Sequence, residues 1–208
     1  SDRTAEADGK LHFASFMNAF AQKLPSDTIV FDEALTSSPA MTRYLPPRKE
    51  GHYFVTRGGS LGVGIPGAIG LKLANPDKTV VGFTGDGGSM YTIQALWTAA
   101  RYNVDAKFVI CNNRSYKLLQ LNIQQFWDEP AIPEHDIPLS FDLSHPAIRF
   151  DELARSMGVE AVRVEKPEEI EAAVQKALSH KGPFLLDVVI DGDINPKAVE
   201  EACGSIGQ

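Results

Sequence analysis

Thr79-Val80-Val81-Gly82-Phe83-Thr84-Gly85-Asp86-Gly87-Gly88, followed by Phe108-Val109-Ile110-Cys111-Asn112-Asn113, is the stretch on which the reading of this sequence turns. An apolar run leads into a Gly-rich turn holding one acid, and a second apolar run ends in a pair of asparagines. Asp86 and Asn113 lie 27 positions apart, the length of one strand–turn–helix–strand crossover. In a parallel sheet such a unit brings the carboxyl ends of two strands side by side, so both side chains can face one point just outside the sheet. A carboxylate and an amide oxygen converging there suit a hard divalent cation that keeps positions open for phosphate oxygens, the habit of magnesium.

The flanks agree. Gly85, Gly87 and Gly88 remove side chains where a diphosphate would have to approach backbone N–H groups. A helix starting near Ser89 would turn its positive N-terminal end to the anion. Taken alone, Gly-Asp-Gly fits an ordinary strand–turn–helix just as well, with glycines that only shape the turn. The asparagine pair at the end of the next strand tips the balance to a ligand site.

Composition narrows the classes. The 208 residues, 43% apolar, suffice for one well-buried core. A net charge of −7 with no long basic run argues against nucleic acid or an anionic membrane as partner. No apolar segment approaches the roughly 18–20 residues of a membrane span, and the polar start lacks a signal-peptide pattern. Cys111 and Cys203 form no disulfide framework, and Cys111 reads as a small core residue. A cytoplasmic setting is expected. Ser1, in place of an initiator Met, suggests an excised or processed piece, although Met removal before a small residue would look the same.

Outward from the central unit, strands alternate with helices. The spacing of Leu11, Phe13, Phe16, Met17, Phe20 and Leu24 predicts a helix ended by Pro25. Thr28 to Phe31 reads as a short buried strand, and Ser37-Ser38-Pro39 as the capped start of a second helix. Tyr53 to Val55 is a weak strand, and Ile65 to Leu73 a Gly- and Ala-rich helix able to pack close to the sheet. Strand, helix and strand follow at 79–84, 89–102 and 107–112. A helix runs from Tyr116 to Trp127, and residues 128–138 form a loop punctuated by three prolines. Phe150 to Met157 is a helix with Gly158 beyond its end, Ala161 to Val164 a strand, Pro167 to Leu178 a helix and Phe184 to Ile190 a final strand. The pattern predicts an α/β fold, a three-layer doubly wound parallel sheet with helices on both faces, spanning 1–190. Residues 191–208 read as a polar C-terminal tail.

The residues of chemical interest cluster at four successive strand ends: Thr36 and Ser37, Gly58 to Leu61, Asp86 to Ser89, and Asn113 to Tyr116. In such a sheet, ligands bind outside the carboxyl ends of the strands. Gly85-Asp86-Gly87 with Asn112-Asn113 resembles the diphosphate-binding motif of thiamine diphosphate enzymes. Ala95-Leu96-Trp97-Thr98-Ala99-Ala100-Arg101-Tyr102-Asn103 resembles the benzoylformate decarboxylase branch of the 2-oxo acid decarboxylase and acetolactate synthase superfamily. The similarity runs from about Leu11 to Ile190 and corresponds to the C-terminal third of such enzymes.

The resemblance implies thiamine diphosphate and Mg2+ as cofactors. Asp86 and Asn113 would give side-chain oxygens to the metal, and Ser115 its backbone carbonyl. Amides of Gly88, Ser89 and Tyr116, with the Thr36 or Ser37 hydroxyl, would complete the diphosphate site. The Gly59 carbonyl would accept from the pyrimidine amino group, and Leu61 would prop the cofactor into its bent shape. Leu61 by itself is equally readable as core packing.

Two departures bear on the substrate. Asn113-Arg114-Ser115-Tyr116-Lys117 stands where the family usually has a Gly-containing turn, and Leu118-Leu119-Gln120-Leu121 replaces an aromatic-rich segment facing the substrate. The metal site is untouched by either, since a backbone carbonyl tolerates any side chain. The family supplies its activating glutamate from a pyrimidine-binding domain on a neighbouring subunit. Glu33 is not given that role, and no catalytic residue is assigned to this chain. The expected function is therefore to bind the diphosphate–magnesium end of the cofactor in a 2-oxo acid decarboxylase, as its C-terminal domain or short subunit. The alternatives are an acetolactate synthase-like carboligase domain and a non-catalytic cofactor-binding or assembly module. The implied partners are a small 2-oxo acid, a pyrimidine-binding domain or subunit, and a second copy of the chain. Apolar faces on the helices at 65–73 and 93–100 are expected to be left uncovered for that homodimer. His135 and His145, in the Pro-rich segment, are weak candidates for the substrate side, while His12, His52 and His180 read as surface or turn residues.

Overall fold

The computed structural model describes residues 9–127 and 136–190. Six strands, β1 (Ile29–Glu33), β2 (Tyr53–Val55), β3 (Val80–Gly85), β4 (Lys107–Asn112), β5 (Glu160–Val164) and β6 (Phe184–Val189), form one sheet. Every pairing is parallel, and the order is β2-β1-β3-β4-β6-β5. The chain starts in the middle, winds to one edge, returns through the centre and finishes on the other side. That reversal places a switch point between β1 and β4, with β3 at its centre.

Both faces are covered. Helices α1 (Phe13–Lys23) and α2 (Ser38–Tyr44) lie on one face. There Phe16, Phe20 and Met41 meet Val81, Phe83 and Val109 of the sheet. Helix α3 (Gly64–Ala74) lies on the other face, where Ile65 and Ala68 meet Val80, Phe108 and Ile110. The sides alternate along β3 because successive side chains of a strand point to opposite faces. Gly82 occupies the α3 side: a Cβ there would come within 2.6 Å of the Ala68 Cβ and 2.9 Å of the Gly64 carbonyl. The small residues of α3 thus bring its backbone close to the sheet, as the sequence suggests.

The second half repeats the arrangement. Helix α4 (Asp86–Ser89) and helix α5 (Ala95–Arg101) link β3 to β4, and α6 (Lys117–Trp127) follows β4. Helix α7 (Phe150–Ser156) joins the α3 face, and α8 (Ile170–Ser179), entered through a 3₁₀ turn at Pro167–Glu169, joins the α1 face. Gly158 ends α7 at φ 82°, the left-handed conformation that glycine adopts freely.

Four expectations need correction. The helix expected at 89–102 is two helices: α4 opens at Asp86, residues 90–94 are turns, and α5 starts at Ala95. The cause is a tertiary bond: Thr92 Oγ1 donates to the Gly62 carbonyl at 2.6 Å, and the backbone here closes in i to i+3 bonds such as Ala95 N–H to Thr92 O. Ser37 makes no side-chain cap for α2, and the neighbouring Ser38 hydroxyl donates to Asp32 Oδ1 instead. His12 is a buried residue just before α1, not a surface one. On α3, Leu73 is exposed but Ile65, Ala68 and Ile69 are buried, so its apolar breadth is mostly core; Trp97 of α5 does stand out to solvent. His135 and the tail at 191–208 lie outside the described residues.

Candidate cofactor cleft

A cleft of about 370 Å³ opens at the carboxyl ends of β1, β3 and β4. Residues 34–36 after β1 form one wall, Gly59 and Leu61 a second, and Gly85 to Gly88 the floor. Cys111, Asn113, Ser115 and the start of α6, from Tyr116 to Leu119, close the third side. Three of the four predicted strand ends therefore meet, joined by the loop that follows the fourth.

Asp86 is 4% exposed and sits at the first turn of α4. Its Oδ1 accepts the Gly87 N–H at 2.8 Å, and its Oδ2 accepts the Ser115 N–H at 3.2 Å. The same Ser115 N–H donates to Asn113 Oδ1 at 3.0 Å. The two side-chain oxygens predicted to act together are thus gathered on one backbone amide. Burial pushes the Asp86 carboxyl up to about 6, with the Gly87, Ser115 and Arg114 amides pulling against it and the Asp187 charge adding to the rise. No lysine or arginine pairs with it among the described residues. A buried carboxylate without a counter-ion is costly unless a cation completes it. Its surroundings fit a divalent cation with oxygen ligands. Among the described residues, no group of three or more His, Cys, Asp and Glu side chains is placed to hold a metal ion, so a cation here would rest on one carboxylate with amide and carbonyl oxygens.

The floor is shaped by what its glycines lack. A Cβ on Gly85 would meet nothing within 4 Å, so the backbone is open on that side. A Cβ on Gly87 would collide with the Tyr116 ring, and one on Gly88 would press on Glu33 Oε1 at 3.2 Å and Thr84 Oγ1 at 3.3 Å. The first amides of a helix have no intrahelical acceptor; Gly87 serves the Asp86 carboxylate and that of Gly88 is left for an anion, whereas Ser89, the fourth residue of α4, has the Gly85 carbonyl as its intrahelical acceptor.

The turn after β4 is held from outside. Asn112 Nδ2 donates to Asp187 Oδ1 at 2.8 Å, and Asn112 Oδ1 accepts the Arg114 N–H at 3.3 Å. Asp187 in turn pairs with Arg163 at 2.6 Å. Arg114 takes φ 57°, a left-handed conformation that disfavours a side chain, at the position where the family usually places a glycine-containing turn. Leu35, in the opposite wall, is likewise left-handed at φ 50°.

Leu61 is 40% exposed in the cleft wall, which removes the core-packing reading. Gly58 and Gly59 precede it at φ 62° and 70°. Thr36 lines the cleft, but Ser37 lies beneath it, buried and hydrogen-bonded to the Cys111 thiol. Ser89 is buried behind the floor, its hydroxyl donating to the Asp86 carbonyl at 2.7 Å. The Tyr116 amide, expected to face the diphosphate, donates instead to the Phe141 carbonyl at 3.0 Å, so Tyr116 contributes its ring and not its N–H. His145 is exposed and bonded to Ser144. Leu35, Tyr91, Cys111 and Lys117 also line the cleft. Only the tertiary structure selects them, because nothing in their local sequence marks them out.

Known proteins carry the same arrangement. The family described as "Thiamine pyrophosphate enzyme, C-terminal TPP binding domain" matches residues 35–188. Benzoylformate decarboxylase of Pseudomonas aeruginosa is 35% identical over 184 residues, 88% of this chain and 33% of that protein. The Mycobacterium tuberculosis protein IlvX, provisionally named as an acetolactate synthase large subunit, is also 35% identical over 184 residues, 88% of this chain and 35% of its own length. The solved structure of a thiamine diphosphate-dependent 4-hydroxybenzoylformate decarboxylase from Rhodococcus jostii RHA1 superposes with a TM-score of 0.77 at 30% identity, covering 88% of this chain and 33% of that one. The chain thus spans about a third of the length of the relatives it matches. With its parallel sheet, its Gly-Asp-Gly floor and its asparagine turn in the matched region, the chain belongs to the thiamine pyrophosphate enzyme family and corresponds to the C-terminal domain that binds that cofactor.

Proposed function

We propose that this chain holds the diphosphate end of thiamine diphosphate through Mg2+, as part of a 2-oxo acid decarboxylase of the benzoylformate decarboxylase type. The observation that carries the reading is the meeting of Asp86 Oδ2 and Asn113 Oδ1 on the Ser115 amide, at the floor of a cleft where no lysine or arginine among the described residues pairs with Asp86. Asp86, Asn113 and the Ser115 carbonyl would hold the metal, and the Gly88 amide with Thr36 would hold the phosphates. Gly59 and Leu61 lie where they would meet the rest of the cofactor. When bound, thiamine diphosphate supplies the nucleophilic carbon and electron sink needed to release carbon dioxide from a 2-oxo acid. The residues of this chain bind and orient it, and a pyrimidine-binding domain from another chain would complete the site. The exposed side chains of Met90, Tyr91 and Trp97 offer an apolar surface for such an assembly. Calorimetry of the chain with thiamine diphosphate, with and without Mg2+, tests the reading: binding that needs the metal and disappears in Asp86→Ala supports it, and metal-independent binding overturns it.

A carboligase of the acetolactate synthase type is the second reading. It is favoured by IlvX, whose identity equals that of the decarboxylase, and by Leu118 and Leu119 in the cleft wall in place of an aromatic segment. Product analysis with pyruvate and an added pyrimidine-binding partner separates the two: acetaldehyde marks a decarboxylase, acetolactate a carboligase. A partner-supplemented chain that binds cofactor yet turns over no 2-oxo acid would mark a non-catalytic module.

A further inference from the structure

We propose that Glu33 is a positioning residue for the cofactor, clamping the loop that carries Gly59 and Leu61 onto the diphosphate floor. The proposal rests on the reading of the cleft as a thiamine diphosphate site. Glu33 ends β1 and is 1% exposed. Its Oε1 accepts the Gly62 N–H and its Oε2 accepts the Gly64 N–H, while the Val63 amide also bonds to it. Three successive amides at the entrance to α3 therefore converge on one carboxylate. Among the described residues no lysine or arginine competes for it, so those amides are what satisfy its charge.

The same carboxylate touches the floor. A Cβ on Gly64 would lie 2.8 Å from Glu33 Oε2, and one on Gly88 would lie 3.2 Å from Glu33 Oε1. Glu33 thus sits between the loop and the Gly-Asp-Gly turn and sets the distance separating them. Residues 58–61 between the anchors are exposed. On their amino side they are held by Thr56 Oγ1 donating to the Ser60 carbonyl at 2.5 Å, within the loop itself. On their carboxyl side the attachments to the body of the fold are Glu33 and the Thr92 hydroxyl on the Gly62 carbonyl. Glu33 does not line the cleft, and its oxygens are occupied by amides, so it acts through the loop and not on substrate.

Glutamine keeps the size of the side chain but turns an NH2 toward an amide N–H, replacing an acceptor with a second donor. Neither the Asp86 carboxylate nor the Asn113 amide bonds to Glu33, and the glutamine is as large as the glutamate beside Gly88, so the diphosphate contacts keep their places. Calorimetry on the full chain with Mg2+ and either inorganic pyrophosphate or thiamine diphosphate separates the two halves of the site. The unsubstituted chain should prefer thiamine diphosphate. Glu33→Gln should leave pyrophosphate affinity nearly unchanged and cut that preference by about tenfold or more, the worth of charge-assisted hydrogen bonds. Glu33→Asp, which keeps the charge but shortens the reach, should show a smaller loss of the same kind and serves if Glu33→Gln does not fold. Leu61→Ala, at an exposed side chain, should lower the preference as well. A preference retained in both Glu33 variants overturns the proposal. So does a parallel loss of both ligands, which would make Glu33 a purely structural residue, and so does an unsubstituted chain without the preference. An unsubstituted chain that binds neither ligand with Mg2+ would overturn the cofactor-site reading itself, and this proposal with it.

Discussion

Buried acids on the two sides of the sheet are satisfied in different ways. Toward β5 and β6, Asp187 is completely buried but pairs with Arg163, and Asp151 at the start of α7 pairs with Arg149 and Arg155. Burial pushes Asp151 up, yet the two arginines outweigh it and leave the carboxyl below its ordinary range. Around the cleft, Asp86 and Glu33 are nearly as buried and are met only by backbone amides. Both are pushed up, by burial first. Asp32 also lacks a paired lysine or arginine among the described residues, accepting from the Ala34 N–H and the Ser38 and Tyr53 hydroxyls. The first side carries its own cations, although burial still outweighs Arg163 and Asn112 and pushes the Asp187 carboxyl up. On the second, no lysine or arginine among the described residues is paired with Asp86 or Glu33, at the end where a metal and its phosphates are proposed to sit, as suits a ligand-binding end of a sheet.

The widest gap between the two sides should appear on removing one acid from each. Asp86→Ala should reduce Mg2+-dependent binding of thiamine diphosphate by about a hundredfold or more, since even indirect partners of a metal cost 10–100-fold. Circular dichroism should show the fold retained. Undiminished affinity in calorimetry would erase the distinction. On the first side the effect falls on stability: Arg163→Ala leaves Asp187 buried without its counter-ion and should cost about 3–5 kcal/mol in urea unfolding. A loss below about 1 kcal/mol would mean that Asn112 alone suffices for Asp187.

A third test has the opposite sign. Asp86 titrates at about 6 in the folded chain against 3.8 ordinarily. The folded state therefore holds its proton to higher pH than the unfolded state, and stability falls as pH rises from about 4 to 6. Asp86→Asn removes that penalty. Its NH2 meets one of the two amides that the carboxylate accepts, which offsets part of the gain, so it should stabilise the metal-free chain by about 1 kcal/mol at neutral pH while eliminating metal binding. The difference in Tm between variant and parent should open between about pH 4 and 6 and stay level above. A variant less stable than its parent at pH 7 would show that the amides fully compensate the charge.

The smallest effect concerns the backbone. Arg114 is held at φ 57° in the turn that carries Asn113 and Ser115. Comparing Arg114→Gly with Arg114→Ala isolates that conformation from the side chain, and glycine should be the more stable by about 1 kcal/mol. Equal stabilities would show that the turn carries no strain.

Much of this was legible in the chain. Strand and helix order followed from apolar runs and periodicity, and the pairing of Asp86 with Asn113 followed from a spacing that fits one crossover. The failures have physical causes. Residues 89–102 have helical composition, but Thr92 is tied to Gly62 far back in the sequence, and a tertiary bond overrides local propensity there. The Tyr116 amide looked free because its acceptor, the Phe141 carbonyl, comes from a loop 25 residues on. Ser37 resembled a cap by type, but Asp32 claimed the next serine, and Ser37 itself turned toward Cys111.

The sequence by itself determined the fold class, the cleft at the strand ends and the two side chains that meet there, because each depends on periodicity or on spacing along one crossover. The tertiary structure decided which groups near that cleft are still free to bind. Hydrogen-bond partners are chosen by residues distant in the chain: the Gly62 and Gly64 amides by Glu33, the Tyr116 amide by Phe141, the Asn112 side chain that holds the Arg114 turn by Asp187. A buried donor must find an acceptor wherever the packed chain brings one, and no local pattern of residue types encodes that choice.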